Sequence, residues 1–209
     1  MTVLKNGAFV VFEGVDGVGK TTALNKTAEA LRMQGYEVVV CGTECDDFTR
    51  SISSALGAKA TANKDHLTQT LLFTAHRRYL LNEWVKPALK RNAVVLMDRY
   101  IASTHVYQHK CPWIDEMHRD YCDDIVPDLT LVLTAPLETV IHRVQLRGAM
   151  DHFDSIQKET IQSRAERLLK WAYDKGQQYK VEFVSADTDR EELSNRVLKR
   201  IETLLEFKR

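Results

Sequence analysis

The chain alternates short apolar runs with longer stretches of helical period. Ala8-Phe9-Val10-Val11-Phe12 is an unbroken apolar run, the pattern of a strand buried on both faces. From Lys20 to Met33 the apolar positions Ala23, Leu24, Ala28 and Leu31 recur at helical spacing, which predicts a helix. Gly35 stops it, and Tyr36 to Cys41 reads as a second strand. Asn63 is a candidate cap for a long helix running to about Trp84 or Leu89. Ala93 to Met97, Leu129 to Leu133 and Val181 to Val184 read as the third, fourth and fifth strands. A helix opened by Pro136 and ended by Gly148 is expected, with two more at 158–175 and 189–206. The stretches 42–62 and 149–157 have no clear period and read as loops.

Strands of Val, Leu and Phe with helices between them need parallel crossovers and a sheet covered on both faces. The expectation is an α/β three-layer sandwich, a five-stranded parallel sheet with helices on both faces. A length of 209 residues suits a single domain, 1–209. Lys+Arg and Asp+Glu are both 29, so the formal net charge is zero. That argues against nucleic acid or an anionic membrane held by bulk charge, and leaves open a small anion held by a local cluster. Four cysteines, Cys41, Cys45, Cys111 and Cys122, are too few and too uneven for a disulfide scaffold. No apolar run approaches the ~18 residues of a membrane span, and no targeting stretch opens the chain, so a cytoplasmic protein is expected.

Gly14-Val15-Asp16-Gly17-Val18-Gly19-Lys20-Thr21 matches G-x4-G-K-[ST], directly after a strand and directly before a helix. Glycines let backbone N–H groups close round phosphate oxygens, and the helix N-terminus adds positive field there. Lys20, opening an exposed turn, is expected at the β- and γ-phosphates, and the Thr21 hydroxyl at Mg²⁺. Asp98 ends the third strand and Arg99 follows it. Strand carboxyl ends face the ligand crevice in this architecture, so the acid can serve a metal and the arginine a phosphate; a surface ion pair is the alternative.

In the long helix, Leu67, Leu71, Leu72, Ala75 and Tyr79 fall on one broad face, read as core, with Phe73 and Arg77 opposite, one turn apart. That pair suits a flat polar ring, Phe73 stacking and Arg77 donating; Phe73 packing under a neighbouring loop is the other reading. In the helix after Pro136, Arg143 and Arg147 share a face. Either they clamp an anion from a lid or they complement the helix C-terminus. His109, Cys111, His118 and Cys122 could form a zinc module, though the spacing is not that of a standard finger. The chain has no Asn/Thr-Lys-x-Asp motif, which counts against a GTPase-like switch.

Several segments, in this order, resemble the thymidylate kinases of the nucleoside monophosphate kinase group. They are Phe12-Glu13-Gly14 through Thr21-Thr22, Leu71-Leu72-Phe73-Thr74-Ala75-His76-Arg77, Asp98-Arg99-Tyr100 with Ser103-Thr104, and Pro127-Asp128-Leu129. Arg143 to Asp151 resembles that family's lid. The resemblance covers almost the whole chain. It implies one P-loop kinase domain with a lid around 143–157, ATP-dependent phosphorylation of thymidine 5′-monophosphate with Mg²⁺, and a homodimer packed through helices. The catalytic residues it implies are Lys20, Asp16, Arg99, Arg143 and Arg147. ATP would be bound by Gly14, Val15, Asp16, Gly17, Val18, Gly19, Lys20, Thr21 and Thr22, and the metal by Thr21 and Asp98. The acceptor nucleotide falls to Asp16, Phe73, Arg77, Arg99, Ser103, Thr104, Tyr107 and Gln108. Because the loop carries Gly17 and Val18 and the lid Arg143 and Arg147, the chain resembles the bacterial-type arrangement. It departs from the family after the second strand. There Thr43-Glu44-Cys45-Asp46-Asp47-Phe48-Thr49-Arg50 replaces an Arg-Glu-Pro-Gly-Gly or Pro-Glu-Arg type segment, with Arg50 a possible substitute for its arginine. Another pyrimidine deoxynucleotide, such as dUMP or a 5-substituted form, is the alternative acceptor, and a non-catalytic nucleotide-binding module the alternative class.

Overall fold

In the computed structural model, which describes residues 4–42, 46–56, 65–146 and 155–209, the five apolar runs are the strands of one parallel sheet. They are β1 (Ala8–Glu13), β2 (Val38–Cys41), β3 (Val94–Asp98), β4 (Leu129–Thr134) and β5 (Val181–Ser185), in the order β2-β3-β1-β4-β5. β1 is central: Val10 pairs with Leu96 on one side and Leu129 on the other. Alternation along β1 feeds two cores, because successive side chains leave opposite faces. Ala8, Val10 and Phe12 pack with α1 (Lys20–Met33) and the C-terminal helix Arg190–Phe207. Phe9 and Val11 pack on the other face with residues such as Leu80, Ile101 and Trp171. Phe9 and Phe12 are fully buried, each contributing about 1.5–3 kcal/mol of apolar burial.

The remaining helices are α2 (Asp47–Leu56), α3 (His66–Leu80), α4 (Lys86–Lys90), α5 (Ile101–Tyr107), α6 (Ile114–Tyr121), α7 (Leu137–Leu146) and α8 (Ser155–Lys175), with Arg190–Phe207 as α9. Helix α2 lies inside the stretch read as a loop. Asp46 starts it: Oδ1 accepts from Thr49 N at 2.7 Å and Oδ2 from Tyr79 Oη at 2.8 Å, so a cap and a tertiary contact fix a helix of weak propensity. The long helix starts at His66, not after Asn63, which lies outside the described residues. Asp65 is its cap, accepting from Thr68 N at 2.9 Å. It is also interrupted: Leu81–Val85 is a π-helical turn before α4. Pro87 lacks an N–H and its ring crowds the carbonyl four residues back, and the wider turn just before it relieves that conflict.

The inward face of α3 is the reverse of the face expected. Leu67 and Leu71 are exposed by 38% and 50%, whereas Thr70, Thr74, His76, Arg77 and Leu80 are buried. The helix covers a polar crevice, so its polar stripe turns inward. His109, Cys111, His118 and Cys122 do not converge: among the described residues no group of three His, Cys, Asp or Glu could hold a metal. His118 instead packs edge-on against Tyr100, with centroids 5.2 Å apart. Asp128 of the Pro-Asp-Leu segment lies at the amino end of the sheet, accepting from Phe9 N at 2.9 Å and pairing with Lys208 at 2.9 Å. Among the described residues no helix is long and apolar enough to cross a membrane.

Candidate active site

β1 and β3 are neighbours in register, Phe12 opposite Asp98, so the loop leaving β1 and the Asp98-Arg99 pair leaving β3 emerge side by side. Gly14, Val15, Asp16, Gly17, Val18 and Gly19 form that loop; Lys20, Thr21 and Thr22 open α1. Gly17 has φ +85°, and a Cβ there would sit 2.6 Å from Val144 Cγ2, so backbone conformation and space both require glycine. Gly19, at φ +110°, is the N-cap of α1 and offers no side chain, which leaves the first N–H groups of the helix facing the loop.

Lys20 is buried, not exposed as its position in a turn predicts. Its Nζ donates to Gly14 O at 2.8 Å and Val15 O at 3.0 Å. Burial, reinforced by the Arg99 charge, pushes its pKa down to about 8 against the opposing pull of Asp98, Asp16 and Glu13. Thr21 Oγ1 donates to Asp98 Oδ2 at 3.1 Å, and Asp98 Oδ1 is buried with no hydrogen-bond partner among the described residues. A hydroxyl beside an unsatisfied carboxylate oxygen is a fitting donor set for a hard divalent cation.

Arg99 sits at φ +70°, unusual for a side-chain-bearing residue, with its N–H donating to Phe12 O at 3.0 Å. The turn aims its guanidinium across the loop: Nη1 donates to Gly14 O at 3.1 Å and Ser103 Oγ at 3.0 Å, Nη2 to Asp16 Oδ1 at 2.5 Å. Burial opposes the charge, but Tyr107 and the carboxylates Asp16, Glu13 and Asp98 raise its pKa above the ordinary value. Tyr107 Oη donates to Asp16 Oδ2 at 2.9 Å, and burial, with Asp16 nearby, pushes that phenol up to about 12. For Asp16, burial works upward, while Arg99, Lys20, Tyr107 and Arg164 together hold the carboxyl below its usual range.

Two residues of this network escaped the sequence reading. Glu13 ends β1 fully buried and faces the N-terminus of α5: Oε1 accepts from Tyr100 N at 2.7 Å and Ser103 N at 3.2 Å, Oε2 from Ser103 Oγ at 2.7 Å. Its signal was an acid closing an apolar strand. Arg164 projects from α8, its Cζ 4.7 Å from the Tyr107 ring centroid; it carried no signal in an ordinary helical period.

Helix α5 has a second side, towards α3. Arg77 is buried there: Nη2 donates to Thr104 Oγ1, Cζ lies 5.5 Å from the Tyr100 ring centroid, and Nη1 is buried without a hydrogen-bond partner among the described residues. Phe73 lies one turn earlier, half-buried. Gln108, buried, donates from Nε2 to Gln69 Oε1 at 3.0 Å. Ser103 and Tyr107 thus join the loop, while Thr104 and Gln108 meet α3, and α5 links the two. Arg143 stands apart, donating to Val18 O at 3.1 Å and Thr188 O at 2.9 Å. Arg147 lies outside the described residues.

The chain matches the family model for thymidylate kinase over residues 12–197. It is 35% identical over 182 residues to a thymidylate kinase of Pseudomonas fluorescens, covering 83% of this chain and 85% of that one. To a probable thymidylate kinase of Caldivirga maquilingensis it is 34% identical over 150 residues, 70% of this chain and 72% of the other. To that of Mycoplasma capricolum it is 29% identical over 199 residues, 91% and 92% of the two chains. The family match runs from the end of β1 into α9, through the phosphate loop, α3, β3, α5 and α8, and on that extent the chain belongs to the thymidylate kinase family, whose members are kinases.

Proposed function

We propose that the protein transfers the γ-phosphoryl group of ATP to thymidine 5′-monophosphate, giving thymidine 5′-diphosphate, in the course of dTTP synthesis. The observation that supports this reading is that α5 and its C-cap Gln108 contact Arg99 and Asp16 on one side and Arg77 and Gln69 of α3 on the other; we assign the first side, with Lys20, to phosphate and the second, with Phe73, to the base. The triphosphate lies along Gly14 to Thr22. Lys20 exchanges its loop carbonyls for β- and γ-phosphate oxygens, and the Arg99 guanidinium turns from Gly14 O to the acceptor phosphate. An acceptor oxygen attacks the γ-phosphorus as the bond to the β,γ-bridging oxygen breaks. The acceptor phosphate is already ionised, so no general base is needed, and positioning with fixed positive charge carries the catalysis. Thr21 and Asp98 would hold Mg²⁺, which when bound neutralises charge on the phosphate oxygens. Residues 143–157 are assigned as a lid, with Arg143, which donates to Val18 O of the phosphate loop, at its start, and Arg147 is assigned a catalytic role.

At the base end Phe73 stacks on the pyrimidine. Arg77 donates to the carbonyl at the ring's 4-position, with Thr104 and Gln108 on the same edge. Uracil shares that edge, so this pocket also supports dUMP or a 5-substituted dUMP as acceptor. Three of the four cysteines are buried free thiols, which suits a reducing cytoplasm. Homodimerisation is part of the proposal, through the outward apolar face of α3. An ADP-release assay across dTMP, dUMP, dCMP, dGMP, dAMP and UMP tests the function. Highest kcat/KM with dTMP supports it; preference for dUMP selects the alternative acceptor; turnover confined to purine nucleotides overturns both.

A further inference from the structure

Two guanidiniums approach the Tyr107 ring. Arg99 is 5.3 Å from its ring centroid on β3's side and Arg164 4.7 Å away on α8's. Both arginines approach the same carboxylate: Arg99 Nη2 reaches Asp16 Oδ1 at 2.5 Å, while Arg164 Nη1 stops 3.8 Å from Asp16 Oδ2. That second distance is too long for a hydrogen bond. Asp16 Oδ2 is taken instead by the Tyr107 hydroxyl at 2.9 Å. Arg164 makes no hydrogen bond among the described residues, and its side chain is one-third exposed.

The other arginines that could serve this crevice are committed. Arg143 holds Val18 O and Thr188 O, Arg167 holds Val106 O and Ser163 Oγ, and Arg50 of α2 pairs with Asp47 on its own helix. Arg164 therefore has donors without a hydrogen-bond partner among the described residues, a guanidinium set over the Tyr107 ring, and an approach to the same Asp16 carboxylate that Arg99 holds. A planar guanidinium so placed suits the oxygens of a phosphate group.

We propose that Arg164 is a second acceptor-phosphate residue, gripping the 5′-phosphate of the incoming nucleotide from α8 while Arg99 grips it from β3. The segment after β2 then has no need of an arginine, since Arg164 supplies that charge from the helix following the lid. Tyr107 lies within reach of both guanidiniums, and both approach Asp16, so the two forks are already close together before the phosphate arrives.

This inference rests on the proposed reading of the site as a nucleotide-acceptor site, and the test separates the two. Binding of dTMP and of thymidine, which lacks the phosphate, is measured by titration calorimetry for wild type, Arg164→Ala and Arg164→Lys, with melting temperatures. Failure of the wild type to bind either compound would overturn the acceptor reading and this inference with it. Given wild-type binding, Arg164→Ala is expected to weaken dTMP by about 10- to 100-fold, the loss of a hydrogen bond to a charged group, and to leave thymidine within about twofold. Arg164→Lys, which keeps the charge but not the fork, is expected to fall between. Equal weakening of dTMP and thymidine would make Arg164 a prop for Tyr107 and the sugar. Unchanged binding of both, or loss of both with a fallen melting temperature, would make it structural; each of these overturns the proposal.

Discussion

A buried ammonium such as that of Lys20 is held by two loop carbonyls in exchange for bulk water, and the exchange is incomplete. Its folded pKa of about 8 lies below its ordinary 10.5, so between those values the unfolded chain binds a proton that the folded chain does not. Stability of the ligand-free protein therefore gains with rising pH from about 8 to 10.5, by about 3 kcal/mol from this group; below 8 the cost is fully present. Phosphate needs the charged form, so the ATP dissociation constant is expected to rise about tenfold per pH unit above 8. Calorimetry from pH 7 to 9.5 checks this, and a flat profile would contradict the assignment. Lys20→Ala is expected to lose at least about a hundredfold in kcat while remaining folded by circular dichroism. At the other end of the site, Phe73→Ala is expected to raise the acceptor KM about 10- to 100-fold, the value of one stacked base, with the KM for ATP nearly constant. Arg77→Ala should also lose discrimination between thymine and cytosine, because an amino group at the 4-position cannot accept its hydrogen bond. Since Arg77 is buried against Thr104 and Tyr100, that variant melts lower as well. Were Phe73→Ala to impair both substrates equally and lower the melting temperature, Phe73 would be packing rather than stacking.

Between elements, the informative joint is Glu13. Its two oxygens receive three donors from the N-terminus of α5, so a strand end fixes the helix that carries Ser103, Thr104 and Tyr107, with Gln108 just after it. Glu13→Gln presents one acceptor and adds donors, leaving at least one buried group unpaired at about 1–3 kcal/mol. A fall in melting temperature of about 3–10 °C is expected. A lower kcat should accompany it, because Ser103 also receives Arg99. A melting curve that superposes on wild type would remove Glu13 from this role. Elements of this kind mark how far the sequence could be read. The inner strands β1 and β3 were legible because a parallel sheet covered on both faces demands buried apolar runs, and the phosphate loop because its glycines are required by backbone geometry. Helix α2 was not, since Asp46 holds it through Tyr79 and Trp84, partners more than thirty residues away. Glu13 and Arg164 were not, because their meaning comes from what the topology brings opposite them. The face of α3 was read backwards because hydrophobic periodicity says which stripe is apolar, not what covers it.

At the scale of the whole molecule, that reversed stripe is the surface proposed for dimerisation. Leu67, Leu71 and Ala75 repeat every four residues along the outside of α3, and all three are exposed, so the most regular apolar stripe of this helix is unburied in a single chain. Such a stripe is stabilised by a second copy packing helix against helix, as the proposed homodimer requires. The opposite face of the same helix carries Phe73 and Arg77, the residues proposed to hold the base. If the proposed dimer packs through α3, a partner that holds α3 in place also holds the proposed base pocket, and dimerisation and acceptor binding are expected to be coupled through this one helix. Wild type is expected to sediment at about twice the 24.0 kDa chain mass at micromolar concentration. Leu71→Lys sets like charges against each other across a two-fold contact and is expected to sediment near the chain mass. Its acceptor KM should rise several-fold, while its affinity for ATP, whose proposed site is the loop between β1 and α1, changes little. The expected signature is a concentration-dependent acceptor KM in wild type that becomes concentration-independent in Leu71→Lys. A wild type that sediments as a monomer, or a variant that stays dimeric with wild-type kinetics, would separate this stripe from assembly.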